Sequence, residues 1–247
     1  MTLVTTMFRS SLVIVVATAC SSSTQGARPH DMSAAQHDRA AEREDRTADA
    51  HASHYDPNAT VESTRCSFNL PRPPICWTSV ENPTAEHQRS AEEHRRRAAD
   101  HRAASTALLD AETRTCIGIS VEDRDTSPFD RFDDIASIGP LKEVTAQKVP
   151  IERTVGAVVT FRARPGLTAE WLQRVVDCHL ARNAALGHVV PEMPNCPLVP
   201  KGVEARVTST GNGFAVAIRS DDPAIVQEIL GRARRSQSAP ATGSPTR

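Results

Sequence analysis

The chain has 247 residues, with 29 Lys and Arg against 30 Asp and Glu, and a formal charge of −1 at neutral pH. A net charge this close to zero removes nucleic acid as an expected partner. Six Phe, two Trp and one Tyr are too few to furnish one large core along the whole length.

The first segment reads "MTLVTTMFRSSLVIVVATACSSS", with Arg9, an apolar run from Leu12 to Ala17 and small residues ahead of Cys20. It is shorter than the ~20 apolar residues of a transmembrane helix and predicts a secretory signal peptide over residues 1–19. The tetrapeptide "ATAC" resembles the lipobox of bacterial lipoproteins, in which the cysteine after the cut is acylated and becomes the new N-terminus. The resemblance implies lipid on Cys20 and attachment to a membrane of the bacterial cell envelope. Ser21 stands where Asp would retain a lipoprotein at the inner membrane, which implies the outer membrane, facing the periplasm. Ala17 departs from the Leu more common at its position, and ordinary cleavage after Ala17-Thr18-Ala19 satisfies the A-x-A rule equally well.

Residues 20–32 read as a polar, lipidated tether. A helical hairpin is expected over 33–116. Its first helix, rich in Ala, Glu and Arg, ends by Pro57, and the second runs from the Asn82-Pro83-Thr84 start to Cys116. Between them, the prolines and cysteines of "CSFNLPRPPICW" predict a stapled loop over 56–83. The two helices repeat at an offset of fifty residues, with seven identities over the fifteen positions from His37 to His51. Residues 117–150, acidic and carrying Pro128, read as a linker.

A small α+β domain is expected over 151–235. "VGAVVTFRA" predicts a strand and "TAEWLQRVVDCHLARNAAL" an amphipathic helix. "GVEARVTSTGNGFAVAIRS" predicts a hairpin about its Gly-Asn-Gly turn, and Asp222 with Pro223 opens a last helix. The order β-α-β-β-α is most of the split βαβ, ferredoxin-like motif, its final strand missing or supplied from elsewhere. Residues 236–247 predict a disordered tail. The fold class is thus α+β, a His- and Ala-rich antiparallel helical hairpin followed by this ferredoxin-like fragment.

His87, His94 and His101 recur every seven residues, at position a of a heptad whose d positions are Ala91, Ala98 and Ser105. The first helix places His30, His37, Glu44 and His51 at a, with Ala34, Ala41 and Ala48 at d. Small d residues allow close approach, so the expected seam is lined by imidazoles. Seven residues advance a helix by about 10.5 Å, whereas two nitrogens on one Zn(II) lie only ~3 to 3.5 Å apart, so ligands must come from both helices. In register, His37 faces His101, Glu44 faces His94 and His51 faces His87. That supplies two ligands per layer. His54, three residues after His51, makes the end where His51, His54 and His87 meet the preferred metal site, for Zn, Cu or Ni. The alternative is a seam in which these side chains only pack. Either way, acidification through ~6.5 is expected to weaken it, because protonating facing imidazoles sets like charges together.

In an exported chain Cys66, Cys76, Cys116, Cys178 and Cys196 form an odd set. The expected disulfides are Cys66 with Cys76 and Cys178 with Cys196, leaving Cys116 as the odd thiol. No P-loop, HExxH, GxSxG or dinucleotide fingerprint occurs, so no catalytic activity is expected. The chain is similar to exported bacterial lipoproteins of unknown function with His- and Ala-rich helices, a likeness that implies no activity. Its expected partners are the membrane, through Cys20, and a protein partner for the C-terminal domain.

Overall fold

The computed structural model describes residues 32–67, 73–144 and 150–238. The residues of the expected signal peptide, Cys20 where lipid is expected, His30 and the chain beyond residue 238 lie outside the described residues. The fold is α+β.

Helix α1, Ala34–Ser53, opens on a capping box: the Ser33 hydroxyl accepts the Gln36 N–H while the Gln36 side chain accepts the Ser33 N–H. Strands β1 (Val61–Ser67) and β2 (Ile75–Glu81) follow, paired antiparallel with Cys66 opposite Cys76. The expected stapled loop is therefore a disulfide-closed β-hairpin. Helix α2, Ala85–Thr115, returns along α1. Asn82 and Thr84 at its start hydrogen-bond the Asp56 carbonyl, closing the gap between the helices. All six d positions are buried, from Ala48 and Ala98 at 0 % exposure to Ala34 at 7 %. Alanines leave the helices close enough for opposing a residues to meet.

Residues 117–144 of the expected linker are structured. They contain α3 (Val121–Asp125), two short 3-10 turns and strand β3 (Ile135–Val144). Three of their acidic residues are partners of basic ones: Asp123 pairs with Arg131, Asp125 with Arg182 and Asp134 with Arg164. β3 escaped the sequence pattern because Gly139-Pro140 looks like a turn. It is an edge strand, one of the places in a sheet that tolerate a proline.

β4 (Glu152–Arg162), α4 (Ala169–Ala185), β5 (Glu204–Thr210), β6 (Gly213–Arg219) and α5 (Pro223–Ser238) follow. The sheet order is β3-β4-β6-β5, every neighbour antiparallel. β4 and β5 are therefore parallel with β6 between them, a split βαβ unit. The strand that would follow α5 has no counterpart among the described residues, and β3 takes the free edge of β4 instead. Close pairing requires Gly156, where an added Cβ would lie 1.8 Å from the Ile218 carbonyl oxygen. Val159, Phe161, Val216 and Ile218 of the sheet pack with Leu172 and Val176 of α4 and Ile229 and Ala233 of α5. The expected tail begins later than residue 236, since the buried Ser236 lies within α5 and donates its hydroxyl to the Asn195 carbonyl.

The second disulfide joins Cys116 to Cys178, and Cys196 is the free thiol among the described residues. The expected Cys178–Cys196 bridge is thereby corrected. Cys178 sits on the side of α4 that meets the C-terminus of α2, in a cluster with Cys116, Ile119 and Val175. Cys196 lies in the separate core over the sheet, where burial pushes its thiol up to about 11.

Two buried groups give stability opposite pH dependences. His179 is fully buried, its Nε2–H donating to the Asp123 carbonyl at 2.9 Å, and burial with the nearby Arg182 holds its pKa down at about 4. Its contribution is complete above the unfolded value near 6.5 and is lost as pH falls toward 4. Burial pushes the Asp130 carboxyl up from 3.8 to about 7, so its contribution is complete below 3.8 and lost as pH rises through 7. Asp130→Asn, neutral at every pH, is expected to be the more stable protein at pH 8 by about 1 kcal/mol or more. That advantage should vanish near pH 4, leaving a steeper acid loss from His179. Urea unfolding at pH 8, 6 and 4 measures it; an equal gap at all three would refute the buried-carboxyl account.

Candidate metal centre

The seam between α1 and α2 brings together the residues that the heptad register pairs. His37 Nδ1 lies 3.0 Å from His101 Nδ1, at the end nearest α4. In the middle, His94 Nδ1–H donates to Glu44 Oε2 at 2.6 Å. At the β-hairpin end, His51 Nδ1 lies 3.3 Å from His87 Nδ1. Distances of this size between neutral rings describe one N–H donor and one lone-pair acceptor. Exposed ion pairs, Arg102 with Asp45 and Arg95 with Asp49, cross between the helices beside these layers.

Burial, His101 and the Arg182 charge hold the His37 imidazole below its ordinary pKa, partly opposed by Asp38. The hydrogen bond from His94 is the main cause that lowers the Glu44 carboxyl. At the β-hairpin end four rings crowd together. His94 stacks on His51 with centroids 5.5 Å apart, and His54 lies tilted against His87 at 5.3 Å. His54 thus reaches the end where it was expected, but as a ring neighbour. Among the described residues no three His, Cys, Asp or Glu side chains converge on one point as metal ligands.

No protein family, curated protein or solved structure matches this chain.

The histidines of the C-terminal domain, and Cys178, lie away from the seam and are engaged elsewhere. His179 bonds the Asp123 carbonyl, His188 the Val199 carbonyl, and Cys178 is in its disulfide. Glu86 and Glu93, each preceding a seam histidine, pair instead with Arg89 and Arg97 on the solvent face.

Sequence reasoning missed Arg182. Its side chain is fully buried between Glu112 of α2 and Asp125 of α3, tying the helical hairpin to the C-terminal domain. Its position on α4 gave no signal beyond one charge within an apolar periodicity. Also unforeseen is a cleft of about 330 Å³ floored by Phe161, Trp171, Leu172 and Val175, with Arg131 and Arg164 among its polar lining.

Proposed function

We propose that this is a lipid-anchored protein of the bacterial cell envelope, without catalytic activity, whose helical hairpin takes up transition-metal ions on its paired histidines. The observation that carries the reading is the approach of imidazole nitrogens to 3.0 Å and 3.3 Å across a seam where helices ordinarily pack leucine. Imidazole is a good ligand for Zn, Cu and Ni ions, and nitrogens this close need little movement to share one. Anchoring through Cys20 is the complement, resting on the resemblance of "ATAC" to the lipobox.

A second reading, an interaction protein whose histidines only pack the seam, draws support from the β1–β2 hairpin. Ile75, Trp77 and Val80 are 67 %, 51 % and 66 % exposed there, more apolar surface than a two-stranded sheet otherwise needs to show.

Calorimetric titration of the full chain with copper, nickel and zinc ions in turn separates the two. Saturable binding of at least one ion, with a lower stoichiometry on replacing His51, His54 and His87 by Ala and none left when His37 and His101 are replaced as well, is the expected result. Absence of saturable binding for all three ions, or binding indifferent to those replacements, would leave the interaction reading. Cys20→Ala is expected to move the protein out of the membrane fraction.

A further inference from the structure

We propose that the two imidazole pairs are separate sites for a monovalent ion that accepts two ligands in line, of the copper(I) and silver(I) class. This rests on the metal reading above and narrows it. Each pair offers two nitrogens and, among the described residues, no converging third ligand. In the middle layer the Glu44 carboxylate is engaged by His94, and at the β-hairpin end His54 and His94 flank the His51–His87 pair as ring neighbours. Zn(II) ordinarily takes four ligands and would have to fill half its positions with water in an Ala-walled seam. A filled-shell monovalent ion is satisfied by two.

Bonds of about 2 Å in line separate the nitrogens by about 4 Å. The pairs stand at 3.0 Å and 3.3 Å, so each opens by about 1 Å, a movement within reach of side-chain rotation. The proton balance is simple. In the empty pair one Nδ1–H donates to the other Nδ1; on binding, that ring carries its proton on Nε2 instead, both Nδ1 lone pairs bind the ion, and no proton leaves the protein. His37 and His51, fourteen positions apart, are separated by about 21 Å of helix, so two bound charges repel each other little. The His37–His101 pair borders an open concavity of about 480 Å³ walled by Ala104, Ala107, Leu186 and Val189, which gives an ion a way in.

The test is a chloride-free titration of the full chain with silver nitrate, Cys20→Ser and Cys196→Ala removing competing thiols, with zinc sulfate run in parallel. The expected result is two equivalents of silver, one in His101→Gln, one in His87→Gln and none in the double variant, with imidazole nitrogen resonances shifting at the pairs. Zinc gives no saturable heat in the same range. Zinc held more tightly than silver, and lost in the same variants, would overturn the two-coordinate sites while leaving the broader metal reading in place. Silver binding untouched in the double variant, or no saturable binding of silver, copper, nickel or zinc, would overturn both. The stoichiometry of the chain with both pairs intact, and its order of silver over zinc, tests the proposal even where a histidine variant fails to fold.

Discussion

Arg182→Leu is expected to lower the free energy of unfolding by about 3–5 kcal/mol at neutral pH, the usual consequence of removing one partner from a buried charge cluster. Arg182 is fully buried, and its guanidinium reaches Glu112 and, at 3.0 Å, Asp125. Arg124 also pairs with Glu112, at 2.6 Å. Without Arg182 the two carboxylates keep their burial and lose their main cation. Burial already raises the Asp125 pKa against the pull of Arg182, so the variant has a signature beyond its size. A carboxyl raised in the folded state gives up stability as pH rises, so the deficit should shrink on acidification. Adding Glu112→Gln and Asp125→Asn to Arg182→Leu should recover most of the loss. Urea unfolding measures all of this; a loss below about 1 kcal/mol would mean that water already reaches the cluster.

The two disulfides should differ in kind. Replacing both Cys116 and Cys178 by Ala opens a crosslink between residues 62 apart, for which loop-closure entropy gives about 4 kcal/mol of global stability. The bond also staples the end of α2 onto α4, so the loss should appear in a single transition that includes the helical hairpin. The Cys66–Cys76 bridge spans only 10 residues and closes a β-hairpin whose apolar side chains are largely exposed. Its removal is expected to melt that hairpin locally and leave the main thermal transition within about 1 °C, because β1 and β2 bury little against the core. Calorimetry of the two double-Ala variants decides between these outcomes. Equal shifts in both would show that the β-hairpin folds as part of the whole.

The seam was legible because its information is local. A seven-residue spacing of His with Ala at the intervening positions fixes which residues share a stripe, and an antiparallel return then fixes the pairs His37–His101, Glu44–His94 and His51–His87. The β5–β6 hairpin was legible for a similar reason: a Gly-Asn turn and alternating apolar residues set its register, Val207 opposite Val216. β3 was not. Its residues look like a turn until β4 supplies the ladder, and only that long-range pairing selects the extended conformation for Gly139-Pro140.

The sequence by itself determined the α+β class, the helical hairpin with its paired rows, the Cys66–Cys76 staple and the Asp222 cap of the last helix, since each follows from local spacing and residue type. Only the tertiary structure decided that Cys178 meets Cys116, that Arg182 is buried between two carboxylates, and that β3 closes the sheet. A cysteine or arginine on a helix has several faces it can occupy at nearly equal local energy. The choice among them is made by what packs there, and here that is the last turns of α2 against α4.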